Sequence, residues 1–505
     1  MEFMECISRR HQRRHHQASS RPDGKKGLKD AGYHYVNVDD GYFGKRDDNG
    51  IMHTHEQRFP NGMKPIADYV HGLGMKAGLY TDAGNSTCGS MWDNDAAGVG
   101  AGIYGHEPQD AQLYFGDWGF DFIKIDYCGG DALGLNEKER YTSIRNSIDK
   151  VNKDVSINIC RWAVPGTWAK DAATSWRISG DINAHWGSLR YVVGKNLYLS
   201  AYAGNGHYND MDMMVIGFRN DSKVGGQGLT PTEEEAHFGL WCIMSSPLLI
   251  GCNLENMPDS SLKLLTNKEL IALNQDPLGL QAYVAQHENE GYVLVKDIEQ
   301  KRGNVRAVAL YNPSDTICSF SVPFSSLEFG GNVKVRDLVK HSDLGNFSGT
   351  FEQTLPAHSA MFLRIEGETR LEPTLYEAEW AYLPLFNDLG KNPKGIIYAH
   401  DKEASGKMKV GFLGGQPENY AEWREVYSEN GGRYDMTIHY LYGKGRQIEL
   451  DVNGIITKID SLGKDNGHNQ ITVPVELKAG YNTIRMGNSY NWAPDIDCFT
   501  LTKAL

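Results

Sequence analysis

Short apolar runs alternate with amphipathic stretches over residues 27–278. The apolar runs cover residues 33–40, 75–82, 120–126, 155–160, 175–181 and 243–251, and the clearest helical patterns cover residues 136–151 and 231–241. Buried apolar strands that alternate with helices are typical of a parallel sheet covered by helices on both faces. The length of this region favours a (β/α)8 barrel of the TIM type over a doubly wound sheet.

The pattern changes after residue 278, where strict apolar and polar alternation replaces the helical signals. Residues 279–366 are therefore predicted to form an antiparallel β-sandwich, and residues 375–505 a second one. Residues 367–374 are polar and acid-rich, and we expect a linker there. Residues 1–26 are basic and lack an apolar segment, so we interpret them as disordered or as an aberrant start, with an export signal as the alternative.

Composition narrows the classes of ligand. The 505 residues exceed what one hydrophobic core holds, so several domains are expected. A net charge of −13 argues against nucleic acid or an anionic membrane as partner, and no apolar stretch is long enough to span a bilayer. The eight cysteines show none of the CxxC spacing of a zinc or redox site. No glycine-rich loop predicts a nucleotide site, so a neutral ligand such as a sugar fits better.

The apolar runs of the predicted barrel end in carboxylates. These acids are Asp39, Asp40, Asp82, Asp126 and Asp181, followed by Asp210 and Asp212 after a further candidate strand. Because the carboxyl ends of barrel strands meet at one face, we expect the acids to line one pocket. The alternative for any single acid is that it caps the following helix. Aromatic side chains are interleaved with the acids, namely Tyr42, Trp162, Trp176 and Tyr208. The combination favours a pocket.

An acidic and aromatic pocket without a cluster of metal-binding histidines suits glycoside hydrolysis. One carboxylate attacks the anomeric carbon of the sugar, and a second protonates the leaving oxygen. Lys124 lies two residues before Asp126, so both side chains point to the same side of the strand, and the cation is expected to keep Asp126 ionised. Asp181 follows Arg177 by four residues, and a role as acid would require a raised pKa at Asp181.

Two motifs resemble those of glycoside hydrolase family 27, the α-galactosidase and α-N-acetylgalactosaminidase family. The segment KIDYC is similar to the family's nucleophile motif, with Asp126 as nucleophile, and WRISGDI to its acid/base motif, with Asp181 as general acid and base. The likeness extends over residues 27–366. It implies a barrel followed by a β-sandwich, a retaining mechanism and no cofactor for catalysis.

Further positions of the family pattern imply sugar contacts. The pair Asp39 and Asp40, in VDDGY, matches the aspartates that bind the galactose O4 and O6, and Arg177 is expected on a sugar hydroxyl. The remaining residues that we assign to substrate binding are Lys124, Arg161, Trp162 and Asp212.

Cys88 and Cys128 each follow an apolar run. The residues alone leave two alternatives, a disulfide between neighbouring strand ends or two free thiols. The resemblance implies the disulfide. Together, the resemblance and the disulfide predict a secreted or periplasmic protein.

Two features depart from the family pattern. Residues 1–26 are unrelated to the aromatic-rich first strand of the family, so that strand is expected to be missing. In CRWAVPG, Arg161 stands where the family's galactosidases usually have Glu. We expect its guanidinium to fill the space near the sugar C2 and to donate to a free 2-hydroxyl, which favours galactosides over N-acetylgalactosaminides. The alternative is that the side chain turns outward and leaves this space open.

The last domain resembles carbohydrate-binding modules of families 6 and 35, from YEAE at residues 376–379 to PDID at residues 494–497. The resemblance implies a structural calcium ion held by Glu377, Glu379 and Asp497, and oxygen-rich acid clusters suit calcium. The alternative is a group of solvated acids that bind nothing. Tyr490 and Trp492 either stack on a sugar ring or are buried.

These observations predict a retaining exo-α-galactosidase that removes terminal α-linked galactose from oligosaccharides or glycans. Two alternatives stay within the family and change the sugar to N-acetylgalactosamine or β-L-arabinopyranose. A third alternative is a catalytically inactive carbohydrate-binding protein, because a barrel without its first strand has open sheet edges.

Overall fold

The computed structural model describes residues 2–4, 27–204, 206–218, 228–254, 257–389, 396–460 and 467–504. The chain divides into two compact units. The first comprises Met1–Lys195 and Asn205–Gln275, and the second comprises Asn196–Gly204 and Asp276–Leu505. Within the described ranges, no helix is both long enough and apolar enough to cross a bilayer.

The first unit is built on a parallel sheet of seven strands. In sheet order they are β1 (Glu2–Met4), β2 (Tyr35–Asn37), β5 (Lys76–Asp82), β6 (Phe122–Asp126), β7 (Ser156–Ile159), β8 (Ser175–Arg177) and β9 (Tyr208–Asp210). A separate antiparallel pair is formed by β3 (Phe43–Arg46) and β4 (Met52–Thr54).

Helices separate the strands of this sheet along the chain. They are α1 (Lys64–Gly72), α2 (Cys88–Trp92), α3 (Glu107–Ala111), α4 (Cys128–Ala132), α5 (Glu137–Asp149), α6 (Ala169–Ala172), α7 (Trp186–Asn196), α8 (Pro231–Ile243), α9 (Asp259–Leu265) and α10 (Lys268–Asn274). This alternation of parallel strands and helices confirms the predicted β/α barrel in a partial form.

Local sequence explains where these elements lie. Strand β5 buries every residue but its first, as expected for a strand covered on both faces. Helix α8 begins with a capping box, in which the Thr230 side chain accepts from the Glu233 N–H and the Glu233 side chain accepts from the Thr230 N–H. Helix α5 begins with a simple N-cap, in which the Asn136 side chain accepts from the Glu139 N–H. Both helices predicted from the sequence are therefore present.

The expectation of a missing first strand needs correction. Strand β1 pairs in parallel with β2, so the first position of the sheet is filled by Glu2–Met4. The physical reason is that the edge of β2 presents backbone N–H and C=O groups that an extended segment of almost any sequence can satisfy. The rest of the segment expected to be disordered, residues 5–26, lies outside the described residues.

The apolar run at residues 243–251 is not one strand. Helix α8 continues to Ile243, and Ile250 makes a single parallel bridge with Met214. A short continuous apolar run has no periodicity that separates a buried helix end from a buried strand, which is why the sequence pattern misassigned it.

The second unit begins with a β-sandwich. One sheet has the order β10 (Tyr283–Glu288), β11 (Gly291–Asp297), β12 (Val305–Asn312), β17 (Ser359–Arg370), β14 (Phe329–Asp337) and β15 (Ser342–Ser348), and β13 (Cys318–Pro323) pairs with β16 (Thr350–Leu355). Both sheets contribute to one apolar core, which includes Val295, Leu310, Phe320, Val335 and Phe351. Strand β17 continues to Arg370 along β14, so residues 367–370, predicted as linker, are strand.

A second sandwich follows. One sheet has the order β19 (Ile397–His400), β20 (Met408–Gly411), β27 (Asp495–Lys503), β22 (Gly432–Leu441) and β25 (His468–Leu477), with β18 (Leu375–Glu377) also on β27; the other has β21 (Tyr420–Ser428), β26 (Gly480–Gly487), β23 (Ile448–Val452) and β24 (Ile455–Ile459). Trp423 and Phe499 pack edge to face in its core, with ring centroids 5.1 Å apart. Two antiparallel sandwiches after the barrel are as predicted.

Candidate active site

The strands of the first unit bring the predicted acids to one edge of the sheet. Asp82 and Asp126 are register partners at the ends of β5 and β6, and Arg177 is the partner of Asp210 at the ends of β8 and β9. Because all of these strands are parallel, their last residues lie at the same end of the sheet.

Asp126 is buried beside a single cation. Lys124 Nζ lies 4.0 Å from Asp126 Oδ1 and 3.2 Å from Asp39 Oδ2, so one ammonium group is shared by two carboxylates. Burial raises the pKa of Asp126 above its usual range, and Lys124 opposes that shift. Within the described part of the chain, Asp126 Oδ1 has no hydrogen-bond partner. This oxygen is held close to a cation and is otherwise uncommitted.

A second cation joins the other two acids. Arg177 Nη2 lies 2.9 Å from Asp181 Oδ1 and 2.9 Å from Asp212 Oδ2. Burial raises the pKa of Asp212 to about 6 even though Arg177 lowers it. The side chain of Asp181 is 74% exposed, whereas those of Arg177 and Asp212 are buried. The buried Arg177 guanidinium therefore pairs with one exposed carboxylate, Asp181, and one buried carboxylate, Asp212.

The raised pKa expected at Asp181 is not found. Burial does raise this pKa, but the charges of Arg177 and Lys124 outweigh burial and lower it below its usual range. Trp162, which is half-buried and has a φ of +59°, also contacts Asp181 and lowers the pKa further. The sequence spacing predicted that Arg177 is near, but it did not show that the guanidinium bonds the carboxylate directly.

Asp212 also fixes the loop that carries Asp181. Its Oδ2 accepts a hydrogen bond from the Ile182 N–H at 2.8 Å, one residue after Asp181. Its carbonyl oxygen accepts from Trp241 Nε1 at 2.8 Å, and its φ is +75°, a left-handed value that is uncommon for a residue with a side chain. These bonds hold the residue in a strained conformation that presents its carboxylate to Arg177.

Asp40 is engaged by the backbone of the next loop. Its Oδ2 accepts from the Gly89 N–H at 2.7 Å, and burial raises its pKa to about 6. Cys88, next to Gly89, forms a disulfide with Cys128, which confirms the bridge implied by the family resemblance. The disulfide therefore links the loop that holds Asp40 to the segment that follows Asp126.

Arg161 does not lie free in the pocket. Its Nε donates to Glu137 Oε1 at 2.9 Å, its Nη2 donates to Asp131 Oδ1 at 3.0 Å, and the guanidinium lies 5.2 Å from the Tyr127 ring centroid. In this conformation the two carboxylates occupy donors that we had assigned to a sugar hydroxyl. The expected effect of Arg161 on which substituent the site accepts at the sugar C2 stays a prediction.

Two of the aromatic residues predicted among the acids are structural. Trp176 is buried and its Nε1 donates to Asn209 Oδ1 at 2.9 Å. Tyr42 is buried and its hydroxyl donates to the Tyr80 carbonyl at 2.9 Å. Their indole and phenol groups pack the barrel and satisfy internal hydrogen bonds.

Sequence reasoning left two functional candidates unassigned. Asp82, noted only as a strand-ending acid, accepts from the Gly84 N–H at 2.6 Å and the Gly129 N–H at 3.1 Å. Cys160 is buried between the two charged groups: Arg177 Nη1 lies 3.7 Å from its Sγ, and its side chain also contacts Asp126. A single cysteine after a strand carries no signal that identifies such a position.

The second sandwich contains a separate buried acid cluster. The carboxylates of Glu377 and Asp497 and the Cys498 thiol offer ligand atoms within 4.8 Å of one another, and Glu379 is also buried. Glu377 Oε2 and both carboxylate oxygens of Glu379 have no hydrogen-bond partner among the residues described. Gly406 has a φ of +57°, a left-handed value that favours glycine, and it lies next to the Glu379 carboxylate. The carboxylate oxygens of Glu377, Glu379 and Asp497 are hard donors, which fit calcium, whereas the neighbouring Cys498 thiol does not.

Two aromatic residues of one loop in the same sandwich, Tyr490 and Trp492, are exposed. Tyr490 is 78% exposed and Trp492 is 43% exposed. The alternative that both are buried is therefore wrong.

Comparison with known proteins identifies the family of both units. Residues 4–276 match the family described as Alpha galactosidase A, and residues 291–365 match the Alpha galactosidase C-terminal beta sandwich domain. Alpha-galactosidase A of Cellvibrio japonicus is 36% identical over 363 residues, which cover 67% of this chain and 84% of that protein. Alpha-galactosidase 3 of Arabidopsis thaliana is 38% identical over 338 residues, which cover 66% of this chain and 73% of that protein.

Solved structures agree with the sequence matches. The crystal structure of alpha-galactosidase I from Mortierella vinacea is similar with a TM-score of 0.62 and 26% identity, over 70% of this chain and 93% of that chain. The acid-lined β/α barrel followed by a β-sandwich and these matches together identify a glycoside hydrolase. The chain belongs to the alpha-galactosidase family, glycoside hydrolase family 27, whose members need no cofactor for catalysis.

The environment of Asp82 predicts a pH-dependent stability. Burial and the nearby Asp126 charge raise the pKa of Asp82 to about 7, against the Gly84 and Gly129 N–H groups, which lower it. Because the folded pKa exceeds the unfolded value near 3.9, the stabilisation is complete below about pH 4 and is lost as the pH rises through about 7. The unfolding free energy of Asp82→Asn should therefore fall less between pH 4 and 7.5 than that of the unaltered protein, by a few kcal/mol.

Denaturant unfolding at several pH values measures this difference. Asp68→Asn, which removes an exposed acid on helix α1, is the matched control and should follow the unaltered protein. Parallel pH profiles for Asp82→Asn and the unaltered protein would contradict the assignment.

Proposed function

We propose that this protein is a retaining exo-α-galactosidase that removes terminal α-linked galactose from oligosaccharides or glycans. The names of its relatives support galactose as the sugar. The observation that carries the chemistry is the buried Asp126 carboxylate, whose Oδ1 lacks a hydrogen-bond partner in the described ranges and lies 4.0 Å from Lys124 Nζ. Such an oxygen gives up no protein hydrogen bond when it forms an ester with the anomeric carbon.

In the first step, Asp126 attacks the anomeric carbon while Asp181 protonates the leaving oxygen. Asp181 has to acquire its proton on substrate binding, since Arg177 lowers its pKa in the free protein. A sugar that covers the exposed Asp181 side chain removes water from it, and desolvation raises a carboxyl pKa. Asp212 keeps Arg177 paired when Asp181 becomes neutral.

In the second step, Asp181 is anionic and takes a proton from a water molecule. The water attacks the anomeric carbon, and the ester bond to Asp126 breaks. Lys124 stabilises the departing carboxylate because its ammonium group lies beside Asp126 Oδ1. Two successive inversions at one carbon leave the anomeric configuration unchanged, so the α-anomer of galactose is released first.

Sugar recognition in this proposal rests on fixed carboxylates. Asp39 and Asp40 accept hydrogen bonds from sugar hydroxyls, and each is already held in place, by Lys124 and by the Gly89 N–H. Trp162 and Asp212 lie next to Asp181 and Arg177 and complete the set. We also propose that the protein is exported, because disulfides persist in oxidising compartments.

Substituting the two carboxylates tests the mechanism. Asp126→Asn should fold and lose turnover by several orders of magnitude, because an amide cannot form the glycosyl ester. Asp181→Ala should lose far less activity on p-nitrophenyl α-galactoside than on an α-galactosyl disaccharide, because the nitrophenolate leaves without protonation. Steady-state kinetics, with thermal unfolding as the check on folding, measures both.

Three outcomes would overturn this proposal. The first is near-normal turnover by Asp126→Asn, and the second is an equal loss on both substrates for Asp181→Ala. The third is early release of the β-anomer in a proton NMR time course. Galactose binding without any hydrolysis by the unaltered protein would instead favour the inactive carbohydrate-binding alternative.

The environment of Arg161 predicts which sugar is preferred. We propose that a guanidinium held by Glu137 and Asp131 cannot move aside for an N-acetyl group at C2, so exclusion by volume replaces the hydrogen bond first expected. Galactosides should be hydrolysed at least about tenfold better in kcat/KM than N-acetylgalactosaminides. The two p-nitrophenyl glycosides measure this ratio, and equal rates would contradict it. Arg161→Ala should lower the ratio.

For the second sandwich, we propose a structural calcium ion bound by Glu377, Glu379 and Asp497. The unpartnered buried oxygens of Glu377 and Glu379 support it, since an unpaired buried charge is costly and a cation would satisfy it. Glu377 lies on β18 and Asp497 on β27, which are neighbouring strands from the start and end of a domain that resembles carbohydrate-binding modules. The ion would therefore hold the two ends of this domain together.

Calcium should raise the unfolding temperature of the full chain by several degrees over a chelator-treated sample, because a ligand that binds only the folded state stabilises it. Calorimetry with and without calcium measures the shift. Glu379→Gln should abolish it, whereas Glu418→Gln, an exposed acid of the same domain, should retain it. An identical unfolding temperature with and without calcium would overturn the site.

A further inference from the structure

Trp92 carries an exposed indole at the end of helix α2, which follows the active-site strand β5. Its side chain is 76% exposed, and within the described residues it makes no hydrogen bond or ring contact. Burying an indole side chain removes a large apolar surface from water. Among the exposed aromatic side chains of the described residues, only that of Tyr490 is more exposed, at 78%. An indole this exposed has its face available to stack on a ligand ring.

The position of Trp92 is set by the acid-lined site. Trp92 ends helix α2, and Gly89, one helical turn earlier, donates its N–H to Asp40 Oδ2 at 2.7 Å. Residues three apart on a helix are neighbours, with Cβ atoms about 5–6 Å apart. The helix begins at Cys88, whose disulfide to Cys128 reaches the segment two residues beyond Asp126. Trp92 thus lies at the rim of the same site.

The loop after Trp92 is tied back to the same place. Arg58 Nη1 donates to Asp95 Oδ2 at 2.6 Å and to the Gly41 carbonyl at 2.9 Å, and Gly41 follows Asp40. The Asp95 N–H donates to the Gly89 carbonyl at 3.0 Å. The indole is therefore presented by a segment that is anchored on both sides.

We propose that Trp92 is the platform for the leaving-group sugar of the substrate, on which the ring attached to galactose stacks. This inference rests on the proposed hydrolase function. The carboxylates enclose the terminal galactose, so the next sugar must lie at the rim. An indole face pairs with the apolar face of a pyranose ring. The exposed amide of Asn94, two residues on, can bond the hydroxyls at the edge of that ring.

A sugar suits this surface better than a second copy of the chain. The rim is continuous with the acid-lined site, and Trp92 is followed directly by the polar residues Asp93 and Asn94. The exposed apolar side chains of Met91, Val99 and Tyr104 in the same segment make contact between copies the alternative. The oligomeric state of the variant is therefore part of the test.

A comparison of two substrates distinguishes sugar stacking on Trp92 from the bond-breaking step. An α-galactosyl disaccharide has a ring to stack, whereas α-galactosyl fluoride has none. Trp92→Ala should raise KM for the disaccharide about three- to tenfold, and Trp92→Phe should recover part of this loss. For the fluoride, kcat/KM of Trp92→Ala should change by less than about twofold. Tyr69→Ala, an exposed aromatic of helix α1, is the control and should change neither constant.

Each remaining outcome counts against a defined part of the argument. If the unaltered protein does not hydrolyse the fluoride, the proposed hydrolase function fails. If it does, and Trp92→Ala leaves the disaccharide constants unchanged or weakens both substrates equally, the platform is wrong. A change in oligomeric state without a change in KM would assign Trp92 to contact between copies and would also overturn the inference.

Discussion

The acid-lined end of the barrel depends on two cations, the buried Arg177 and the partly buried Lys124. Parallel strands bring their terminal acids into one small volume, where burial and mutual repulsion both oppose ionisation. Lys124 is shared by Asp39 and Asp126, and Arg177 is shared by Asp181 and Asp212. Each cation thus joins two acids that come from different strands or their following loops. Removing either would leave two carboxylates without a counter-charge, which is far more costly than breaking an exposed ion pair.

The acids without a cation are held differently. Asp40 and Asp82 have pKa values raised to about 6 and about 7 by burial, and each accepts hydrogen bonds from glycine N–H groups. Gly84 lies in the loop after β5, Gly89 in helix α2 and Gly129 in helix α4. The Cys88–Cys128 disulfide joins these two helices. Asp39, Asp126, Asp181 and Asp212 therefore pair with cations, whereas Asp40 and Asp82 bind backbone N–H groups of the segments around them.

Much of this arrangement could be predicted because it follows from periodicity and strand direction. The spacing of a strand and its following turn was enough to predict that Lys124 lies near Asp126 and Arg177 near Asp181. Capping chemistry was enough to predict that helices begin near Asn136 and Thr230. The strand at Glu2–Met4 was missed because edge pairing uses backbone groups and leaves no side-chain signature. The clamp on Arg161 was missed because Asp131 and Glu137 are 30 and 24 residues away in the sequence.

The electrostatic state of Asp181 was the part of the site that spacing could not predict, because it depends on which charges surround the shared Arg177 as well as on burial. Asp181 and Asp212 bond the same Arg177 nitrogen at the same distance, yet the pKa of the buried Asp212 is raised and that of the exposed Asp181 is lowered. Lys124 and Trp162 as well as Arg177 lower the pKa of Asp181, whereas burial and the charges of Asp181 and Asp210 raise that of Asp212. A sugar in the pocket would add desolvation at Asp181. An acid/base residue needs to be protonated in one step and ionised in the next. A carboxylate at the surface of a buried cation meets both demands, because substrate entry and departure change its exposure while Asp212 keeps the cation in place.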